Sequence, residues 1–78
     1  MKEITYKKIP INTLKRLDEY AVKGFASGSM EEKAHWDDRI VTACSVLWDC
    51  GILDLSERIE VSKFYRSRVY FGKGGVFK

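Results

Sequence analysis

Residues 30–53 read MEEKAHWDDRIVTACSVLWDCGIL, and this stretch decides the fold. At 100° per residue, most apolar side chains of residues 30–50 fall within an arc of about 200°, twice the width that a surface helix needs to face a core, and Val46 lies outside it. Ser29 and Glu32 have the spacing of a capping box, and Gly51 followed by Ile52 is typical of a helix C-terminus. The sequence therefore predicts one long amphipathic helix over residues 30–50.

Shorter elements are predicted before this helix. Weak alternation of polar and apolar residues favours a short edge strand over residues 4–8. Apolar residues then recur at helical spacing as far as Phe25, which predicts a first helix from an N-cap at Asn12 to about Gly24.

The C-terminal third favours strands. Asp54 and Glu57 have the spacing of a helix cap, so a short third helix is an alternative there. From Ile59 onward, β-branched and aromatic residues dominate and alternate, which predicts a strand over residues 59–71. The glycine-rich segment 72–75 then indicates a turn into a short final strand at 76–77.

These elements predict an α+β fold in a single small domain, residues 1–78. Two helices, the second one long, would pack on a small antiparallel sheet formed mostly by the C-terminal third. The alternative is a winged-helix arrangement, because LWDCGIL at 47–53 resembles the passage from recognition helix to wing in winged-helix proteins. That resemblance implies a DNA-reading helix, whereas Glu31, Asp38 and Asp49 on its polar side would repel phosphates.

Charge is segregated along the chain. Residues 1–23 carry a net charge of +3, residues 24–57 carry −5 and residues 58–78 carry +5. The mild overall charge of +3 thus conceals an acidic middle and a basic C-terminal third. Such asymmetry is typical of a surface that meets a charged partner.

The sequence predicts no enzyme, no metal site and no cofactor. Cys44 and Cys50 lie too far apart on a helix for a disulfide, and with one histidine they are too few to bind structural zinc. We expect both cysteines to be free, buried and apolar, as in a reducing compartment. His35 has neither a second base nor a nucleophile placed beside it.

The predicted location is cytoplasmic, without membrane contact. The N-terminus carries charges where a signal peptide is apolar. The longest uncharged run, residues 40–48, is too short to span a bilayer.

The best functional signal is the basic and aromatic stretch KFYRSRVYF at 63–71. As a strand, it would present its even-numbered side chains, two arginines between two aromatic rings, on one face. Single-stranded nucleic acid is held by such a combination of stacking rings and cations. The competing interpretation is that the rings fill a small core, while the arginines either form a solvated face or pair with the acidic middle of the chain.

From these observations we predict a small non-enzymatic binding protein. It would regulate or inhibit a larger macromolecular partner by occupying its surface, as compact accessory proteins of phages and other mobile elements do. The partner is expected to be a protein or a protein–nucleic-acid complex. Direct nucleic-acid binding through the basic and aromatic strand face is the alternative, and a homodimer stays open. The expected contact residues are Lys63, Phe64, Arg66, Arg68, Tyr70, Lys73, Trp48 and Val41.

Overall fold

The computed structural model describes residues 2–72. Its elements are α1 (Glu3–Lys8), α2 (Ile11–Ala26), α3 (Met30–Asp49) and α4 (Leu55–Phe71). Across residues 2–72 the structure contains helices and no strand. The predicted α+β fold is therefore wrong, and so is the winged-helix alternative, because the segment expected to form a wing is α4.

The long helix is confirmed, together with its two ends. The Ser29 hydroxyl accepts a hydrogen bond from the Glu32 amide at 3.2 Å, which is one of the two bonds of the predicted capping box and caps the first turn of α3. Gly51 has a φ of +77°, and its amide donates to the Trp48 carbonyl at 3.0 Å. The Ile52 amide donates to Leu47 at 3.0 Å. This pair of bonds is a Schellman motif, which requires a left-handed residue that glycine adopts without strain.

The N-terminal predictions are wrong in detail. Residues 4–8, expected as a strand, belong to α1. Pro10, rather than Asn12, is the N-cap of α2, and its carbonyl accepts from the Leu14 amide at 3.0 Å. Proline lacks an amide hydrogen and therefore fits a helix start, where that donor would have no helical acceptor. The helix then continues two residues beyond the expected end at Gly24.

The largest error concerns residues 59–71, which are helical. Asp54 and Glu57 form a complete capping box: the Glu57 amide donates to Asp54 Oδ1 at 2.7 Å, and the Asp54 amide donates to Glu57 Oε1 at 3.0 Å. This box starts a helix of 17 residues rather than a short one. The side chains buried on α4 are Val61, Tyr65, Arg68 and Val69, a helical spacing. Local β propensity is overridden by this packing.

The core lies where α2, α3 and α4 meet. Its buried residues include Leu17 of α2, Ile40 and Cys44 of α3, and Val61 and Val69 of α4. At Gly24 of α2, an added Cβ would lie 2.8 Å from a methyl group of Val69, so glycine allows these two helices to approach closely.

The short helix α1 is held mainly by polar bonds to the start of α4. The Thr5 hydroxyl donates to Glu57 at 3.2 Å, and the Lys8 ammonium donates to the same carboxylate at 2.8 Å. Beyond α4, the predicted strand at 76–77 and Lys73 lie outside the described residues. No helix within residues 2–72 has the length and apolar character needed to cross a membrane.

Candidate functional site

A groove of about 590 Å³ runs between α3 and α4. Asp37 near the start of α3 contacts Arg66 near the end of α4, and Trp48 at the end of α3 contacts Arg58 at the start of α4, so the two helices lie antiparallel. Small side chains of both helices line the groove, among them Ser45 of α3 and Ser62 and Ser67 of α4. Because these side chains are short, they leave an open channel above the core rather than closing the seam between the helices.

Apolar side chains of the groove remain exposed to solvent. Val41 of α3 is 37% exposed, Ile59 of α4 is 54% exposed and Phe71 at the end of α4 is 64% exposed. Isolated exposed apolar residues are common on protein surfaces, but these three line one concave feature. Their grouping is typical of an interaction site.

The groove is also cationic. Arg58, Lys63 and Arg66 line it, and the lining residues of the described chain include no carboxylate. All three cations come from α4, whereas the described α3 side of the groove contributes Val41, Cys44 and Ser45. The site therefore combines an apolar floor with positive charge along one wall.

At one end of the groove, Arg66 and Tyr70 converge on Asp37 of α3. Arg66 Nε donates to Asp37 Oδ1 at 2.5 Å, and the Tyr70 hydroxyl donates to Asp37 Oδ2 at 3.0 Å. The side chain of Asp37 is 12% exposed and that of Arg66 is 51% exposed. The hydrogen bond to Asp37 raises the pKa of Arg66. The pKa of Tyr70 is also raised, mainly by burial and to a smaller extent by its hydrogen bond to Asp37. Arg66 thus compensates a buried charge and still presents part of its guanidinium to solvent.

At the other end, Arg58 lies over the ring of Trp48. The guanidinium carbon is 4.6 Å from the ring centroid, within the range of a cation–π contact. Trp48 is 41% exposed. The contact extends the cationic and aromatic surface from the groove onto the C-terminal turn of α3.

Cys44 lies on the groove floor but is poorly suited to chemistry. It is 1% exposed, and burial raises the pKa of its thiol to about 11. At neutral pH it is therefore a thiol and a weak nucleophile. Both cysteines are free, as predicted, but Cys50 is exposed, so the expectation that both are buried is wrong for Cys50.

The structure brings together five of the eight predicted contact residues. Val41, Lys63, Arg66 and Tyr70 line the groove, and Trp48 contacts its lining residue Arg58. The predicted strand face is nevertheless wrong, because residues 64, 66, 68 and 70 do not share a side of a helix. Lys73 is outside the described residues.

Phe64 and Arg68 lie on a different side of α4. Arg68 is 8% exposed, and its Nη1 donates to Asp18 Oδ1 of α2 at 2.5 Å. Phe64 packs on the core cluster and makes an edge contact with Tyr65, at 5.0 Å between ring centroids. The competing interpretation of the arginines is thus confirmed for Arg66, whose partner belongs to the acidic middle. Arg68 also pairs within the chain, but with the N-terminal segment.

Sequence reasoning missed Arg58, Ile59 and Phe71 as groove residues. Ile59, Lys63, Arg66 and Tyr70 are separated by four, three and four positions, the spacing of one helical side. The signal was therefore present, but it becomes visible only once residues 55–71 are taken as a helix.

A second surface cluster, on α2 and α3, is a weaker candidate. Trp36 stacks on Tyr20 at 5.9 Å between centroids, and its ring lies within 5.3 Å of the Lys23 ammonium and 5.5 Å of the Arg39 guanidinium. Cations of the chain itself already contact this ring. The rings of Tyr20 and Trp36 are also only partly exposed, so the cluster presents less apolar surface than the groove, where Val41, Ile59 and Phe71 are exposed.

Comparisons with protein-family models, with curated proteins and with solved structures gave no match for this chain.

Proposed function

We propose that this chain is a non-enzymatic binding protein that regulates or inhibits a larger macromolecular partner by occupying its surface. The α3/α4 groove and its rim are the contact surface. The main support for this proposal is that one groove contains both exposed apolar side chains and the cations of α4. The exposed apolar side chains are Val41, Ile59 and Phe71. Protein interfaces combine an apolar centre with a polar rim in this way.

The charge arrangement favours a protein over a nucleic acid as the partner. Arg68 is buried against Asp18 on another side of α4, so only one of the two arginines expected to contact phosphates, Arg66, lines the groove. Two of the three exposed apolar side chains of the groove, Val41 and Ile59, are aliphatic and provide no ring on which a base can stack. The two free cysteines support a cytoplasmic setting, where thiols stay reduced.

The test compares two exposed apolar positions. Ile59 in the groove is 54% exposed and Val46 of α3, outside the groove, is 53% exposed, so Ile59→Asp and Val46→Asp introduce the same charge at equal exposure. The wild type and both variants are immobilised and used to capture partners from an extract of the source cells, with and without nuclease. Circular dichroism verifies that both variants fold.

The expected result is a protein retained by the wild type and by Val46→Asp but lost with Ile59→Asp, irrespective of nuclease. That protein is then purified, its affinity for the three chains is measured by calorimetry, and its activity is assayed with and without the wild type. Equal capture by the two variants would exclude the groove. Retention that disappears with nuclease would indicate nucleic acid instead.

A further inference from the structure

The groove also indicates the chemistry of its partner. We infer that it binds an acidic amphipathic helix of the partner protein, with apolar side chains on the groove floor and carboxylates against α4. This inference rests on the proposed function and specifies its ligand.

The dimensions of the groove suit a helix of about three turns. From Ile59 to Phe71, α4 rises about 18 Å at 1.5 Å per residue, which equals the length of a helix of about 12 residues. The apolar groove residues of α4 stand at the two ends of this length, and Val41 faces it from α3. An amphipathic helix presents anchors at positions i, i+4 and i+7 to such a channel.

Charge complementarity identifies the helix as acidic. Lys63 and Arg66 lie three residues apart on one side of α4, Arg58 lines the groove beside Trp48, and the described lining residues of α3 are uncharged. Arg66 keeps half of its side chain exposed despite its bond to Asp37. Glutamate or aspartate along one flank of the bound helix would face these cations, and a basic helix would be repelled.

The same charges disfavour a second copy of the chain in this groove. A symmetric dimer places each patch against its own copy, so the cations of one groove would face those of the other. An acidic segment of a different protein avoids this repulsion.

The test uses a displayed library of random peptides of about 14 residues. Selection on the wild type, with depletion on Ile59→Asp, isolates peptides that need the groove. The expected binders carry net negative charge and apolar residues at helical spacing. One such peptide is synthesised, together with a version in which each acidic residue is replaced by lysine.

Charge reversal tests the pairing directly. Lys63→Glu should weaken binding of the acidic peptide by about tenfold, while Lys15→Glu, at an exposed position of α2, should change it less than about twofold. The lysine peptide should in turn prefer Lys63→Glu to the wild type. Affinity for the acidic peptide should fall as salt rises from about 50 to about 500 mM.

Neutral or basic binders, or a library without groove-dependent binders, would overturn the inference. So would displacement of the acidic peptide by a thymidine oligonucleotide that binds more tightly, or self-association in sedimentation that Ile59→Asp abolishes. The partner capture described above separates the two proposals: if Ile59→Asp still loses a captured protein, groove binding stands and only the acidic ligand is wrong.

Discussion

The two sides of α4 use the same residue types for different purposes. On the core side, Tyr65 is 3% exposed and Val69 is fully buried, whereas on the groove side Ile59 and Phe71 are more than half exposed. Both sides thus carry large apolar residues, but only one of them lies in the interior. The apolar content of a helix does not reveal which of its sides is buried.

The ion pairs of Arg68 and Arg66 show a similar difference between the core side and the groove side of α4. In the pair on the core side, the Arg68 side chain is 10% exposed and that of Asp18 is 49% exposed. In the pair on the groove side, the order is reversed, with Asp37 at 12% and Arg66 at 51%. One pair stabilises a buried cation, and the other stabilises a buried anion while leaving its cation partly available. Arginines two residues apart therefore differ in role.

The largest expected difference between the sides comes from removing one side chain from each. Tyr65→Ala should lower the free energy of unfolding by about 3–4 kcal/mol, because it leaves a cavity in the core. Ile59→Ala should lower it by less than about 0.5 kcal/mol, because the side chain is exposed. Urea unfolding followed by circular dichroism measures both. Equal losses would show that the groove side belongs to the core.

The second-largest expected difference is in the free energy of unfolding lost when each ion pair is broken. Asp18→Ala leaves Arg68 buried without its carboxylate and should cost about 2 kcal/mol, while Arg66→Ala should cost about 1 kcal/mol. The second cost is smaller because Asp37 keeps the Tyr70 hydroxyl as a donor. Urea unfolding of both variants provides the comparison.

A double variant controls for the buried charge. Asp18→Leu combined with Arg68→Met removes both members of the pair and should be more stable than Asp18→Ala alone. If the double variant is less stable, packing around Arg68 rather than its charge explains the loss.

Acid should act on the core side of α4, through Glu57. The hydrogen bond from Lys8 lowers the pKa of Glu57 to about 2, from an ordinary value of 4.5. A carboxyl whose pKa is lower in the folded state stabilises the fold above its unfolded pKa, and this stabilisation is lost as pH falls from about 4.5 to about 2. The urea midpoint of the wild type should therefore fall more steeply over this range than that of Glu57→Gln.

Glu31→Gln is the matched control for this titration. It removes the same charge from the first turn of α3, at an exposed position. This variant should retain the steep decline of the wild type. An equally shallow profile for both variants would contradict the assignment to Glu57.

The smallest expected effect lies at the rim of the groove. Arg58→Ala removes the cation over Trp48 and should cost about 0.5 kcal/mol, a shift in Tm of about 2–4 °C for a chain of this size. Differential scanning calorimetry can resolve the shift, with Lys15→Ala as the control for loss of a surface cation. An unchanged Tm would mean that the Arg58–Trp48 contact adds nothing to stability.

The sequence was informative where local rules suffice. The caps at Ser29 and Gly51 involve backbone groups that lie within a few residues of them in the sequence, so both ends of α3 could be predicted. Asp54 and Glu57 marked the start of α4 just as clearly. The β-branched and aromatic residues after them match a strand, and this local propensity favours the wrong element. The groove was missed as a consequence, since Ile59, Lys63 and Arg66 share a side only in a helix.

What the sequence by itself determined was the long helix, its caps and the excess of positive charge in the C-terminal third. Only the tertiary structure decided that residues 55–71 are helical, which arginine is buried, and which apolar side chains remain in a groove. The physical reason is that caps are satisfied by neighbours in the chain, whereas burial depends on distant partners. Asp18 lies 50 residues from Arg68, and Asp37 lies 29 residues from Arg66.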